Sequence, residues 1–203
     1  MTDAMKQLTS KIFYLKKKII FPYCSLAVFI KSTTDSKEIQ KGDRILAYTI
    51  RSVLDLACHR NRIATLCEVA DVQIENTAVK ILLKGIAWVR LARIIKYKQA
   101  EYSPPVDNRI ELHESVLEDL RKVSQELVFL INVDESDKLI KMLNYIVDLN
   151  QMTDFISHYF IMDFWKRIRL YNEPDIKKRS VMLKATLAEL IDAMNKKRKK
   201  ETL

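Results

Sequence analysis

The sequence predicts an α+β protein in which strands fill the first half of the chain and helices the second. Three observations carry this. Residues 62–95 alternate apolar and polar side chains, the chain after Arg109 repeats its apolar residues at three and four, and Pro104-Pro105 with Asp107-Asn108 separates the two patterns. The expected domains are therefore residues 1–108 and residues 109–203.

The alternating stretch comes first. Ile63, Thr65, Cys67, Val69, Val72 and Ile74 form one run, and Val79, Ile81 and Leu83 form another, with most neighbours two residues apart. That spacing puts an apolar row on one face of a pleated sheet. Glu75-Asn76 is the turn signal between the runs, because Asn tolerates left-handed backbone. Trp88, Val89, Leu91 and Ile94 resume the pattern, which predicts a meander of three antiparallel strands. Gly85, one of only two glycines, marks a bulge or a sharp bend such as a barrel corner.

Upstream, the first dozen residues read as a disordered lead and Ile12–Leu15 as the start of a strand. Lys16-Lys17-Lys18 followed by the apolar run from Ile19 to Ile30 imitates a secretory signal. Pro22 interrupts that run, no small-residue cleavage site follows, and its dozen residues fall short of the roughly 20 that span a bilayer. Ser32–Lys41 reads as a short helix or loop, Asp43–Arg51 as a strand, and Val53–Asn61 as irregular. Lys96–Tyr102 continues the last strand until the prolines end it.

Beyond Arg109, Leu112, Val116, Leu120, Val123, Leu127 and Leu130-Ile131 make the apolar stripe of one helix, and Leu139, Met142-Leu143, Ile146 and Leu149 that of a second. Asp134-Glu135-Ser136 supplies cap chemistry between them. A third helix is expected over about Met152–Met162, capped by Asn150 or Thr153. Glu173-Pro174-Asp175 breaks the pattern before a last helix through Val181, Leu183, Leu187, Leu190 and Ile191 into a basic tail.

Composition narrows the function classes. The chain has 203 residues, 48% of them hydrophobic and 30% charged, which is the balance of a soluble globular protein. Its net charge of +9 leans towards acidic partners, and much of the visible excess sits in Lys16–Lys18 and Lys196–Lys200. Cys24, Cys58 and Cys67 are an odd set without paired spacing, so they read as buried reduced thiols of a cytoplasmic protein. His59, His113 and His158 show no ligand spacing, so no metal or cofactor is expected. Gly42 and Gly85 cannot write a phosphate loop, and no residues remain for a catalytic fold pairing a serine with a lysine or histidine. Glu111, Glu114, Glu118 and Asp119 read as a solvated helix face. The chain is not expected to be an enzyme.

Several of these residues also carry a resemblance. Ile63-Ala64-Thr65-Leu66-Cys67-Glu68-Val69, then Val79-Lys80-Ile81-Leu82-Leu83-Lys84-Gly85 and Val89-Arg90-Leu91, resemble the central signature of the Lon protease N-terminal (substrate-binding) domain family. Phe21-Pro22 before the strand at Leu26–Ile30 is similar to that family's opening. Phe160-Ile161-Met162, Arg169-Leu170 and Asp175–Arg179 resemble the segment before its last helix. Ala64, Cys67 and Trp88 depart from the family's usual glycine, alanine and arginine.

The resemblance implies a PUA-like antiparallel β-barrel followed by an α-helical bundle, without the ATPase and peptidase parts of a full protease. It implies a non-catalytic recognition module for unfolded protein or peptide segments, with a protease or chaperone as companion, working as a monomer or weak dimer away from membranes. An exposed sheet edge could take such a segment by strand addition. Candidate protein-binding residues are Trp88, Tyr97, Tyr102, Phe155, Tyr159, Phe160 and Trp165, aromatics that either dominate a binding surface or pack the core. The alternative is an RNA-binding PUA-like protein using Lys196, Lys197, Arg198, Lys199 and Lys200; against it stands a solvated helix end that complements the helix dipole. Small-molecule recognition is the reading weighed least.

Overall fold

A long hairpin frames the first half of the chain. In the computed structural model, which describes residues 8–31, 38–52, 54–55, 63–74, 78–96, 98–103, 114–131 and 136–201, strand β4 (Ile63–Ile74) pairs antiparallel with the 19-residue β5 (Ala78–Lys96). The expected three-strand meander is thus two strands. Lys84-Gly85 does not turn the chain, because β5 stays paired with β4 on both sides of the glycine. Leu66 faces Ala87 while Cys67 faces Gly85, which leaves Ile86 as the extra residue of a bulge. A Cβ on Gly85 would lie 2.3 Å from the Phe21 carbonyl oxygen. Only glycine lets that backbone approach, and the approach is bonded: Gly85 N–H donates to Cys24 O (2.8 Å) and Tyr23 N–H donates to Gly85 O (2.9 Å).

Four further strands complete the sheet: β1 (Leu8–Lys16), β2 (Ser25–Lys31), β3 (Arg44–Ile50) and β6 (Gln99–Tyr102), in the order β2-β5-β4-β3-β1-β6. Pairing runs round a cycle, since β6 bonds to both β1 and β5. The sheet is not antiparallel throughout. β1 and β3 run parallel, Lys11 beside Ile45 and Lys16 beside Ile50, because the chain leaves β1, lays β2 against β5 and returns in the same direction. Two boundaries also differ from the sequence reading. β1 starts at Leu8, inside the supposed lead, because Leu8 and Thr9 pair with Tyr102 and Glu101. Gln99–Tyr102 do not prolong β5 but form a separate strand, β6, that pairs antiparallel with it.

Among the described residues of the first half, the buried side chains include two apolar clusters. Ile12, Leu46, Tyr48, Ala64, Leu66, Val89 and Leu91 form one, and Leu15, Ile20, Val28, Ile45, Ala47, Cys67, Val69, Ile81 and Leu83 the other. Alternate residues of β3 enter different clusters, so this strand is buried on both faces and loses the polar alternation of a surface strand. Residues 32–37, 56–62 and 75–77, where a turn is expected, lie outside the described residues, and with them most of the segments read as a helix or loop and as irregular.

Residues 1–108 and 109–203 are two compact units. The second contains α1 (Glu114–Ile131), α2 (Ser136–Tyr145), α3 (Leu149–Tyr159), α4 (Phe164–Tyr171) and α5 (Ile176–Glu201). The cap of α3 is Asp148, whose carboxylate accepts from Gln151 N–H at 2.7 Å, rather than Asn150 or Thr153, so the helix starts earlier than its apolar spacing indicates. Helix α4 is absent from the sequence reading. Asp163 starts it by accepting from Lys166 N–H at 2.7 Å, a single-residue signal within an aromatic run.

Helix α3 is buried from Met152 through His158, polar residues included. The chemistry that permits this is a buried ion pair between Asp154 and Arg179 of α5, at 3.4 Å, with Arg179 also donating to Glu173 O and Asn150 Oδ1. Arg179, which carried part of the family resemblance, is therefore a packing residue. Helix α5 continues unbroken into the basic residues at its end.

Candidate functional site

Seven residues at the α3–α4 corner place three large apolar side chains in solvent. Tyr159 ends α3, Phe160 is its C-cap with N–H donating to Ile156 O, and Phe160 and Ile161 are buried. These two pin the backbone. Met162 and Trp165, on either side of the cap Asp163, are 80% and 58% exposed, and Tyr159 is 40% exposed. Phe155 supports the corner from inside, with ring centroids 4.8 Å from Tyr159 and 6.3 Å from Phe160. Phe164 packs edge-on to Trp165 at 5.2 Å.

Polar contacts hold the same corner. The His158 ring lies 4.6 Å from that of Tyr159, and its Nδ1 is 3.2 Å from the Arg167 guanidinium. Lys166 Nζ bonds to Glu189 Oε2 at 2.7 Å, tying α4 to α5 and holding the Glu189 carboxyl below the usual range. An anchored backbone with projecting rings loses little conformational freedom when a partner binds.

The other aromatic candidates are placed differently. Phe155, Phe160 and Tyr102 are buried and present no open ring face. Trp88 is half-buried on β5, edge-on to Phe21 at 6.1 Å. Tyr97 lies outside the described residues. Met162 escaped the sequence reading, which looked for aromatic rings; an apolar residue immediately before an Asp cap was the available signal. Phe29, 59% exposed on strand β2 at the end of the sheet order, and Tyr145, 84% exposed at the end of α2, were also missed.

Lys196, Lys197, Lys199 and Lys200 are exposed along the last turns of α5. Arg198 has a structural task, donating at 2.6 Å to Leu130 O in the last turn of α1, where a cation complements the helix dipole. Among the described residues, no three His, Cys, Asp or Glu side chains gather to hold a metal ion, and no helix is long and apolar enough to cross a membrane.

No protein-family model and no curated protein matches the chain. Solved structures do. The N-terminal domain of the Mycobacterium avium complex Lon protease superposes with a TM-score of 0.70 at 10% identity, covering 89% of this chain and 98% of that one. A Lon N-terminal domain protein from Xanthomonas campestris superposes with a TM-score of 0.61 at 14% identity, covering 88% and 98%. At this depth of sequence divergence the agreement lies in the arrangement of sheet and helices, and the chain has the fold of the Lon N-terminal domain.

Proposed function

We propose that the chain is a recognition module for unfolded protein or extended peptide segments, and that the α3–α4 corner is its contact. The exposure of Tyr159, Met162 and Trp165 on a backbone pinned by Phe160 and Ile161 carries this reading. Large aromatic and Met side chains lose the most apolar area when a partner covers them, and they are the residue types that dominate binding energies. The shared fold with Lon N-terminal domains supports the class of function. The strand cycle closed by β6 supports reading the sheet as a small PUA-like barrel that serves as scaffold. The module has no catalytic part of its own, delivers segments to a companion protease or chaperone, and works in the cytoplasm, where its buried thiols Cys24 and Cys67 stay reduced.

The test is site-specific photocrosslinking to a reduced, alkylated and permanently unfolded protein. Probes at positions 159, 162 and 165 should crosslink, and Trp165→Ala should weaken binding roughly 10-fold or more, the loss of one hot-spot side chain. Crosslinking no stronger than from position 181, an exposed valine on α5, would sink the reading.

A further inference from the structure

The longest basic run does not mark the unit with the charge excess. Residues 109–203, which include the tail, hold 17 Lys and Arg against 16 Asp and Glu. Residues 1–108 hold 18 against 10, a net +8. Within that unit Arg51 is paired with Asp55 and Arg93 with Glu101. Lys16, Lys17, Lys18 and Arg90 are exposed, and among the described residues no carboxylate pairs with them.

Backbone bonds fix where these cations stand. Lys17, with φ at +51°, donates its N–H to Ile50 O at the end of β3 (2.9 Å). Thr49 Oγ1 donates to Lys18 O (2.9 Å), and Thr65 Oγ1 donates to Ile20 O (2.7 Å), so the run crosses from β3 to β4. The partner of Thr65 on β5 is Trp88, and Arg90 follows two residues later. Val89 and Leu91 enter the first apolar cluster, so alternation puts Trp88 and Arg90 on the opposite face of β5, where Arg90 is exposed and Trp88 is half-buried beside Phe21.

We propose that this face binds single-stranded nucleic acid, with Lys16, Lys17, Lys18 and Arg90 on successive phosphates and the half-buried Trp88 stacking on a base. Cations held on a fixed backbone suit a phosphate chain, and an aromatic ring beside them is what an unpaired base can use. A lipid surface fits less well. The apolar residues that follow the lysines, Ile19, Ile20 and Phe21, are at most 1% exposed and cannot insert.

The experiment titrates the full chain into a fluorescent single-stranded oligonucleotide, made as RNA and as DNA, between about 50 and 200 mM salt. The triple variant Lys16→Glu, Lys17→Glu, Lys18→Glu should weaken binding at least roughly 10-fold and lower the salt slope by about 2, near 0.7 for each phosphate no longer neutralised. Arg90→Glu alone should lower it by about 0.7, which keeps the test open if the triple variant does not fold. In a Trp165→Phe background, oligonucleotide should quench the remaining Trp88 emission. Three results would overturn the proposal: no retention at the lowest salt; full loss on replacing Lys196–Lys200 with serine while the Lys16–Lys18 variant binds normally; or binding and a Trp88 blue shift only with phosphatidylserine vesicles.

Discussion

The sheet unit and the helical unit bury different chemistry. The sheet closes over two apolar clusters, and buried threonines such as Thr49 and Thr65 donate their hydroxyls to backbone carbonyls. The helical unit surrounds α3, whose middle carries Thr153, Asp154, Ser157 and His158 into the interior, with Arg179 answering Asp154. Outside, the contrast reverses. The sheet unit holds cations, Lys16–Lys18 and Arg90, that no carboxylate among the described residues pairs, while the helical unit pairs charges such as Lys184 with Asp119 at 2.6 Å; both expose apolar side chains, Phe29 in the one and Met162 in the other. An apolar interior tolerates replacement by similar volume, whereas a buried charge depends on its partner.

The largest expected effect tests that dependence. Asp154→Ala should destabilise the helical unit by about 3–5 kcal/mol, because it strands the Arg179 guanidinium inside. Urea unfolding followed by helical circular dichroism measures it. Replacing both partners, as Asp154→Leu with Arg179→Met, should restore much of the loss, and a double variant no better than the single one would show that the pair is not the cause.

Next comes the close backbone approach at Gly85 in the sheet unit. Gly85→Ala should cost about 3 kcal/mol, since the added Cβ meets the Phe21 carbonyl and the bulge cannot shift without breaking its bonds to Tyr23 and Cys24. Gly42→Ala, where φ is +90° but the surrounding space is open, should cost only about 1 kcal/mol. Equal costs in denaturant titrations would remove the special role given to the bulge.

A smaller effect concerns acid. The hydrogen-bonded Arg51 guanidinium holds the Asp55 carboxyl below the usual range, against the opposing effect of burial. A depressed pKa gives stability that is present above the ordinary value near about 4 and is lost as pH falls through the lower folded value. Asp55→Asn should therefore lower stability at neutral pH and flatten its dependence on acid below about pH 4, read from denaturant midpoints across pH. Smallest of all is a chemical difference. Burial pushes the Cys67 thiol up to about 12, so native protein at mildly alkaline pH should leave Cys67 unalkylated in site-resolved mass spectrometry, with labelling appearing only on unfolding.

Much of the helical half was legible because its signal is local. The stripe from Val116 to Leu130 needs only neighbours three and four residues away, and α1 lies across it. Helix α4 was not legible, since Phe164-Trp165 and Tyr171 hid a short helix whose start rests on one aspartate. In the sheet, alternation located β3 and β4 but not the end of β5, because a strand's stopping place depends on what pairs with it. The candidate site was visible as a set of aromatic residues. Their exposure was not, since Phe160 and Trp165, five residues apart, go to opposite sides of the surface.

By itself the sequence determined the order of strands then helices, the need for a glycine at an irregular point near residue 85 and the net charge, all properties of local spacing or of composition. Only the tertiary structure decided that β1 lies parallel to β3, that the bulge glycine faces Phe21, and that Arg179 is paired with Asp154. Backbone hydrogen bonds between strands are made by the same amide groups whatever the side chains, so a strand's partner is chosen by packing across the whole unit. Which cations stay unpaired and which aromatic rings stay in solvent follow from that choice.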